Sequence, residues 1–271
     1  MNPAVLAALC GAHVSVMAAA AEGFVFANVE AAVVVAAMTS PPDDARKQLI
    51  DDLVGSLKNG VTSGSDIWAK LDFLWVLAAA DSQASLIDWK GSYDLTANDA
   101  PTFTADRGWN GDGATAGMNL SSAFTPSTAG GQWGTNSAHI GAFNLTAASS
   151  SAISAGASTA VVSGGTGSPG GWIGTNFFGE TPAPAGSAPH HICISRTGNT
   201  TQVAYRNGVG GSTQTSSASA VVTPIFVLSD SAGGPATDAN ISLVHGGAGL
   251  SAAEVLDLYN AVATYLAGVG A

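Results

Sequence analysis

A chain of 271 residues with 46 % hydrophobic content carries enough apolar side chains for one large core. Its charge points away from polyanions. Nineteen Asp and Glu against eight scattered Lys and Arg leave a net charge of −11, which excludes a nucleic-acid surface and any electrostatic pull toward an anionic membrane.

Residues 1–39 are rich in Ala and Val with almost no charge. They read as one or two helices buried either in a partner subunit or against the chain's own β region. No Lys or Arg precedes the apolar run 1–21 and His13 interrupts it, so no export signal is expected. The run 27–38 contains Glu30 and is too short to span a bilayer, so a soluble protein without membrane insertion is expected.

Ser40-Pro41-Pro42-Asp43-Asp44 is a helix start, with a capping hydroxyl, proline at the first position and acids in the first turn. Leu49, Ile50, Leu53, Val54 and Leu57 then form one stripe at helical spacing, ended by Asn59-Gly60. A second helix is expected from near Asp66, with Trp68, Leu71 and Trp75 on one side, and a short turn of helix over 81–86. Arg46, Lys47, Asp51, Asp52, Lys58 and Lys70 read as its solvated face. The expected division is a helical attachment region, 1–88, and a β domain, 89–271.

From Trp89 the apolar period changes to alternation. The central stretch is 101–120, where Thr102-Phe103-Thr104 enters a hairpin that Gly111-Asp112-Gly113 is expected to turn. Further strands are predicted over 93–96, 102–105, 114–120, 138–144, 159–162, 172–177, 191–196, 201–206, 224–228 and 240–244, punctuated by Gly, Ser, Pro and Asn. Many short strands imply a sandwich, barrel or jelly roll. Ser251 caps a last helix over 252–266.

Residue chemistry offers no catalytic signature. Cys10 and Cys193 lie far apart among apolar neighbours and read as buried thiols rather than a disulfide. Gly165-Thr166-Gly167-Ser168-Pro169-Gly170 matches the dinucleotide fingerprint formally, but a strand and not a helix follows it, so it reads as a loop. His190 and His191 are adjacent on a strand and point to opposite faces, one in the sheet and one exposed; His139 and His245 read as satisfied core groups. No metal site is assigned, although calcium ligands could come from Asp230 and Asp238 beside a glycine-rich loop, where solvated turn acids are the simpler reading. Three tryptophans beside glycine and polar turn residues, Trp109, Trp133 and Trp172, are candidate platforms for a sugar ring. Gln132 and Asn136 flank the second of them as hydrogen-bonding partners. The competing reading makes each a plug in the sandwich core. Trp68, Trp75 and Trp89 read as packing residues.

An ordered set of pieces then resembles the concanavalin A-like, LamG-type jelly rolls of bacteriophage and prophage virion proteins. They are Asp88-Trp89-Lys90 into Tyr93-Asp94-Leu95-Thr96; Pro101 to Gly108 with Gly111-Asp112-Gly113; Asn136 to Gly141; Ser195-Arg196-Thr197 before Tyr205-Arg206-Asn207-Gly208; and Gly249 to Val255 before Tyr259 and Tyr265. The helical stretch from Trp68 to Ala84 is similar to what precedes this domain in such proteins. The resemblance implies a mainly β, antiparallel sandwich with a small helical region before it. It also implies a non-enzymatic virion component, such as a tail or head fibre, spike or decoration protein, assembled in a bacterial cytoplasm and facing a host-surface glycan. Other virion proteins would meet its apolar N-terminal region, and a homo-oligomer, in a fibre a trimer, is expected. Glucanases on this fold set two carboxyls two residues apart on one strand. Of the four Glu here only Glu180 lies in the β region outside a helix, alone, so a hydrolase reading would depend on Glu180.

Overall fold

The computed structural model describes residues 23–148, 153–157, 159–164, 170–174, 181–182, 187–215, 219–234 and 236–271. Helices α1 (Val29–Ala37) and α2 (Asp44–Asn59) come first. The cap of α2 is Asp43, whose carboxylate accepts the Arg46 N–H at 2.9 Å, and not Ser40. Pro41 and Pro42 hold the preceding residues extended, so the helix starts later than expected. A single 3-10 turn, Trp68–Lys70, leads into strand β1 (Leu71–Val76), where a helix was expected. A short helix α3 (Ser82–Ser85) follows, capped by Asp81.

The remaining strands are β2 (Thr96–Asn98), β3 (Thr102–Thr104), β4 (Gly108–Asn110), β5 (Asn119–Ser121), β6 (Ala138–Asn144), β7 (Ile153–Ala157), β8 (Ala160–Ser163), β9 (Gly170–Ile173) and β10 (Thr181–Pro182). They continue with β11 (His190–Arg196), β12 (Thr201–Arg206), β13 (Val209–Thr215), β14 (Phe226–Val227) and β15 (Ile241–Gly247). Helix α4 (Ala252–Val269) closes the chain behind a capping box in which Ser251 and Glu254 bond each other's backbone. The central hairpin turns one strand earlier than predicted: β3 pairs with β4 through residues 105–107, where Asp106 takes φ of 61°. Aspartate tolerates this left-handed conformation, so no glycine was needed there.

Two antiparallel sheets result. The first runs β13-β12-β11-β6-β15-β4-β3, with β1 also on β15, and the second runs β10-β9-β8-β7-β14-β5-β2. Between them lies a core that includes Phe73, Trp75, Leu120, Phe124, Ile140, Ile192 and Val244. The other face of the first sheet, with Leu74, Val76, Phe143 and Leu243, packs under Leu53 and Leu57 of α2 and Val255, Leu258 and Val262 of α4. The molecule is therefore mainly β, an antiparallel sandwich with a small N-terminal helical part, as the sequence led one to expect.

The first sheet is apolar on both faces, and this explains the misread helix. In β1, Phe73 and Trp75 point between the sheets while Leu74 and Val76 point at the helices. A strand buried on both faces shows an unbroken apolar run and no alternation. Because β1 pairs with β15 from Leu71↔Gly247 to Val76↔Leu243, residues ahead of position 88 are built into the sandwich itself. Asp52 is exposed as expected of a solvated face, but three other charges placed there are tethers instead. Buried Asp51 accepts the Ala27 and Asn28 N–H groups, both at 2.8 Å, and holds the entry to α1. Lys58 reaches Glu30 at 2.9 Å, and Lys70 reaches Glu254 at 2.6 Å.

Candidate functional site

The structure separates the three candidate tryptophans. Trp109 is 6 % exposed, donates its indole N–H to Ser85 Oγ at 2.8 Å and packs at a tilt of 51° against Phe103. Trp133 is 8 % exposed and lines a pocket of about 200 Å³ with Pro126, Ser127 and Thr135. Neither presents an open ring face, so for these two the core-plug alternative holds. Gln132 and Asn136 are exposed, but the Gln132 and Trp133 N–H groups are fixed on Asp72 at 2.5 and 2.7 Å, pinning the loop to β1. Trp172 is only half-buried. Its neighbour Ile173 enters the core, so the indole lies on the outer face of the second sheet, which no helix covers among the described residues.

Carboxylates were the other place to look for chemistry. Among the described residues each of the four buried ones is occupied as a structural acceptor. Asp88 takes the Leu74 and Lys90 N–H groups at 3.0 Å and those of Ser92 and Tyr93 at 3.2 and 3.1 Å. Asp257 holds Thr62 and Ser63, Glu254 holds Lys70 and Ser251, and Asp51 holds Ala27 and Asn28. None stands ready to donate a proton or attack an anomeric carbon. Glu180, Cys10 and most of 165–170 lie outside the described residues. Cys193 is buried, and burial pushes its thiol up. Asp230 accepts from Ser231 Oγ at 3.2 Å, and among the described residues no group of three or more His, Cys, Asp and Glu could hold a metal.

The histidines carry the polar interior. His190 and His191 do point to opposite faces, but both are buried, because helices cover one face of the first sheet and the second sheet covers the other. On the helix side, His139 Nδ1 lies 2.5 Å from the Ala248 carbonyl, His139 Nε2 lies 3.0 Å from His245 Nδ1, and His245 Nε2 lies 2.8 Å from His191 Nε2. A carbonyl can only accept, so His139 Nδ1 carries the proton and its Nε2 accepts. The same logic protonates His245 at Nδ1 and His191 at Nε2, giving three neutral rings and three hydrogen bonds, with His191 Nδ1 left over. Burial drives all three down, His139 to about 4 and His191 to about 3. Gly141 makes the arrangement possible. The His245 ring lies across it, and a Cβ there would sit 2.3 Å from His245 Nε2.

On the inner face, at one end of the sandwich, a different group forms. Asn144 ends β6, His190 begins β11 and Arg206 ends β12, and antiparallel pairing brings these three strand ends together. His190 is the direct cross-strand partner of Asn144. From the second sheet, Ser154 Oγ donates to Asn144 Oδ1 at 2.6 Å and accepts the Gly164 N–H at 3.1 Å. Gly164 must lack a side chain, since a Cβ would meet the Asn144 amide at 2.6 Å. Arg206 Nη2 donates to the Ser187 carbonyl, which with that of Gly164 flanks the His190 ring.

This end is under-satisfied. Asn144 Nδ2, both ring nitrogens of His190 and Arg206 Nη1 are buried without a hydrogen-bond partner. His190 is neutral, lowered to about 4 by burial first and by the Arg206 charge second. Sequence reasoning noticed His190 only as half of a His pair and passed over Asn144 and Arg206. They lie 46 and 16 residues from it, and no motif links them.

No family model matches the chain, and no curated protein matches it. Solved structures do. A mutant of Trypanosoma rangeli sialidase displaying trans-sialidase activity is similar over 80 % of this chain and 39 % of its own, with 12 % identity and a TM-score of 0.53. The same organism's sialidase in complex with 2-keto-3-deoxy-D-glycero-D-galacto-2,3-difluoro-nononic acid matches over 81 % and 40 %, at 13 % identity and a TM-score of 0.50. The chain thus spans about two fifths of the length of these sialidases. Identity this low speaks to architecture alone: the chain has an antiparallel β-sandwich fold that it shares with part of these proteins.

Proposed function

We propose that this chain is a non-catalytic, glycan-binding β-sandwich, displayed on a bacteriophage particle with its rim and its open second sheet toward a host surface. The observation that carries the reading is the contrast in polar groups. Among the described residues every buried carboxylate is taken up by backbone N–H groups or lysine, whereas Asn144 Nδ2, Arg206 Nη1 and the His190 ring nitrogens at the rim are unpartnered. A site rich in unpartnered donors and poor in available acids suits recognition of sugar oxygens better than their hydrolysis. The virion placement rests on the ordered jelly-roll motifs. The start of the described chain supports it, because Val25 ahead of α1 and Val29 and Val33 on it are 88, 50 and 55 % exposed, apolar surface suited to other virion proteins or to copies of the chain in a trimer.

A glycan array with the intact protein, followed by a search for free reducing sugar on any bound polysaccharide, tests the reading. Retained binding without sugar release is expected, and localisation in assembled particles should find the chain on the outside. Sugar release would make it an enzyme, and an array blank across host polysaccharides would remove glycan recognition.

A further inference from the structure

We infer that the rim formed by Asn144, His190 and Arg206 binds a sugar acid, seating a carboxylate against Arg206 and Asn144 and a neighbouring hydroxyl against His190. This rests on the glycan-binding reading and narrows it to acidic glycans.

The rim holds an unbalanced charge. Arg206 is 5 % exposed and no carboxylate pairs with it among the described residues; its hydrogen bond goes to the Ser187 carbonyl. Burying a cation without an anion is costly, and proteins ordinarily relieve it with a partner. Elsewhere the chain does so. Arg46 is also left with an unpartnered nitrogen, but its charge is balanced by Asp106 at 2.5 Å. Buried Arg196 is surrounded by the carbonyls of Ile173, Gly198 and Asn199. Arg206 has one such carbonyl, that of Ser187, and its Nη1 is left without a partner beside the unpartnered nitrogens of Asn144 and His190.

Hydrogen-bond arithmetic then selects the ligand. Asn144 Nδ2 offers N–H groups, since its Oδ1 is engaged by Ser154, and Arg206 Nη1 offers more. A neutral His190 offers one N–H and one lone pair. The inventory is several donors around a cation plus one acceptor. A carboxylate supplies planar lone pairs for an arginine and an amide together. A hydroxyl on the adjacent carbon can donate to the histidine lone pair and accept from its N–H. Inorganic anions lack that hydroxyl, and neutral sugars lack the charge. All three side chains sit at strand ends, and Ser187 just outside them is exposed.

The test is a titration of the intact protein, followed by NMR of the histidine rings and arginine side chains, with D-glucuronate, D-glucose and inorganic phosphate as separate probes. Glucuronate should shift His190 and Arg206 signals and bind at least about tenfold more tightly than either other probe. Arg206→Met and Asn144→Asp should each weaken glucuronate by more than about tenfold, the second by setting a carboxylate against a carboxylate. Asn144→Asp keeps the side-chain volume, so the test survives if Arg206→Met fails to fold. Equal binding of glucose, equal binding of phosphate, or glucuronate shifts elsewhere on the molecule would each overturn the sugar-acid site. An array positive for neutral glycans only would overturn it while leaving glycan binding standing. Glucuronate bound at the rim with a blank array would do the reverse.

Discussion

His190 and His191 are neighbours in sequence and stand on opposite faces of one sheet, and their surroundings differ in kind. His191 ends a relay of three rings, in which each bond fixes the proton position of the next and the Ala248 carbonyl anchors the series. His190 sits with Asn144 and Arg206 in a group where donors outnumber acceptors. Both are equally buried, so burial alone does not separate a structural polar cluster from a binding one. The number of partners does. A nearly saturated cluster stabilises the fold, while an unsaturated one lowers stability unless something completes it.

Acid gives the largest expected effect, and it acts on the rings of both groups. Lowered folded-state values mean that the unfolded chain takes up protons first as pH falls below about 6.5. The stability these rings contribute is therefore complete above that pH and lost on the way down to about 4. Each ring held neutral costs roughly 1.4 kcal/mol per pH unit, so His139 and His191 together should cost about 5 kcal/mol over two units. Urea melts at several pH values will show it. The loss should shrink but persist in His190→Leu, which removes one of the lowered rings, and a flat profile there would mean that the relay is not what titrates.

Gly141→Ala comes next. Its methyl group would meet His245 Nε2 at 2.3 Å and the Ile192 carbonyl at 3.0 Å, and neither neighbour is at the free end of a flexible chain. A loss of about 3 kcal/mol in denaturant melts is expected. A loss below about 1 kcal/mol would show that the His245 ring has room to leave Gly141, and so that the relay is loose.

The smallest effect sharpens the contrast most. His191→Leu removes the donor to His245 Nε2 and should cost about 2 kcal/mol. His190→Leu removes two unpartnered nitrogens and should leave the melting temperature unchanged or raise it, while abolishing glucuronate binding. Two substitutions one residue apart, chemically identical, are thus expected to separate stability from recognition. Equal losses of stability would erase the distinction.

Much of this was legible before any coordinates. Ala138–Asn144 and Thr201–Arg206 have the predicted bounds, and Ser251 caps the last helix as its spacing with Glu254 suggested. Alternation, turn residues and capping act over a few positions, so a linear reading recovers them. Exposed aromatic platforms were not recoverable that way, because Trp109 and Trp133 are hidden by elements far along the chain. The strand Leu71–Val76 was misread for a related reason, as the helices that bury its second face come from both sides of it in sequence.

The sequence by itself determined a mainly β chain of many short strands with helices at its ends, because that outcome follows from local periodicity and composition; the choice of a sandwich among all-β architectures came from the resemblance. Only the tertiary structure decided which polar groups have partners. Asn144, His190 and Arg206 become neighbours through antiparallel strand pairing, and whether a buried nitrogen is satisfied depends on atoms that no local pattern records.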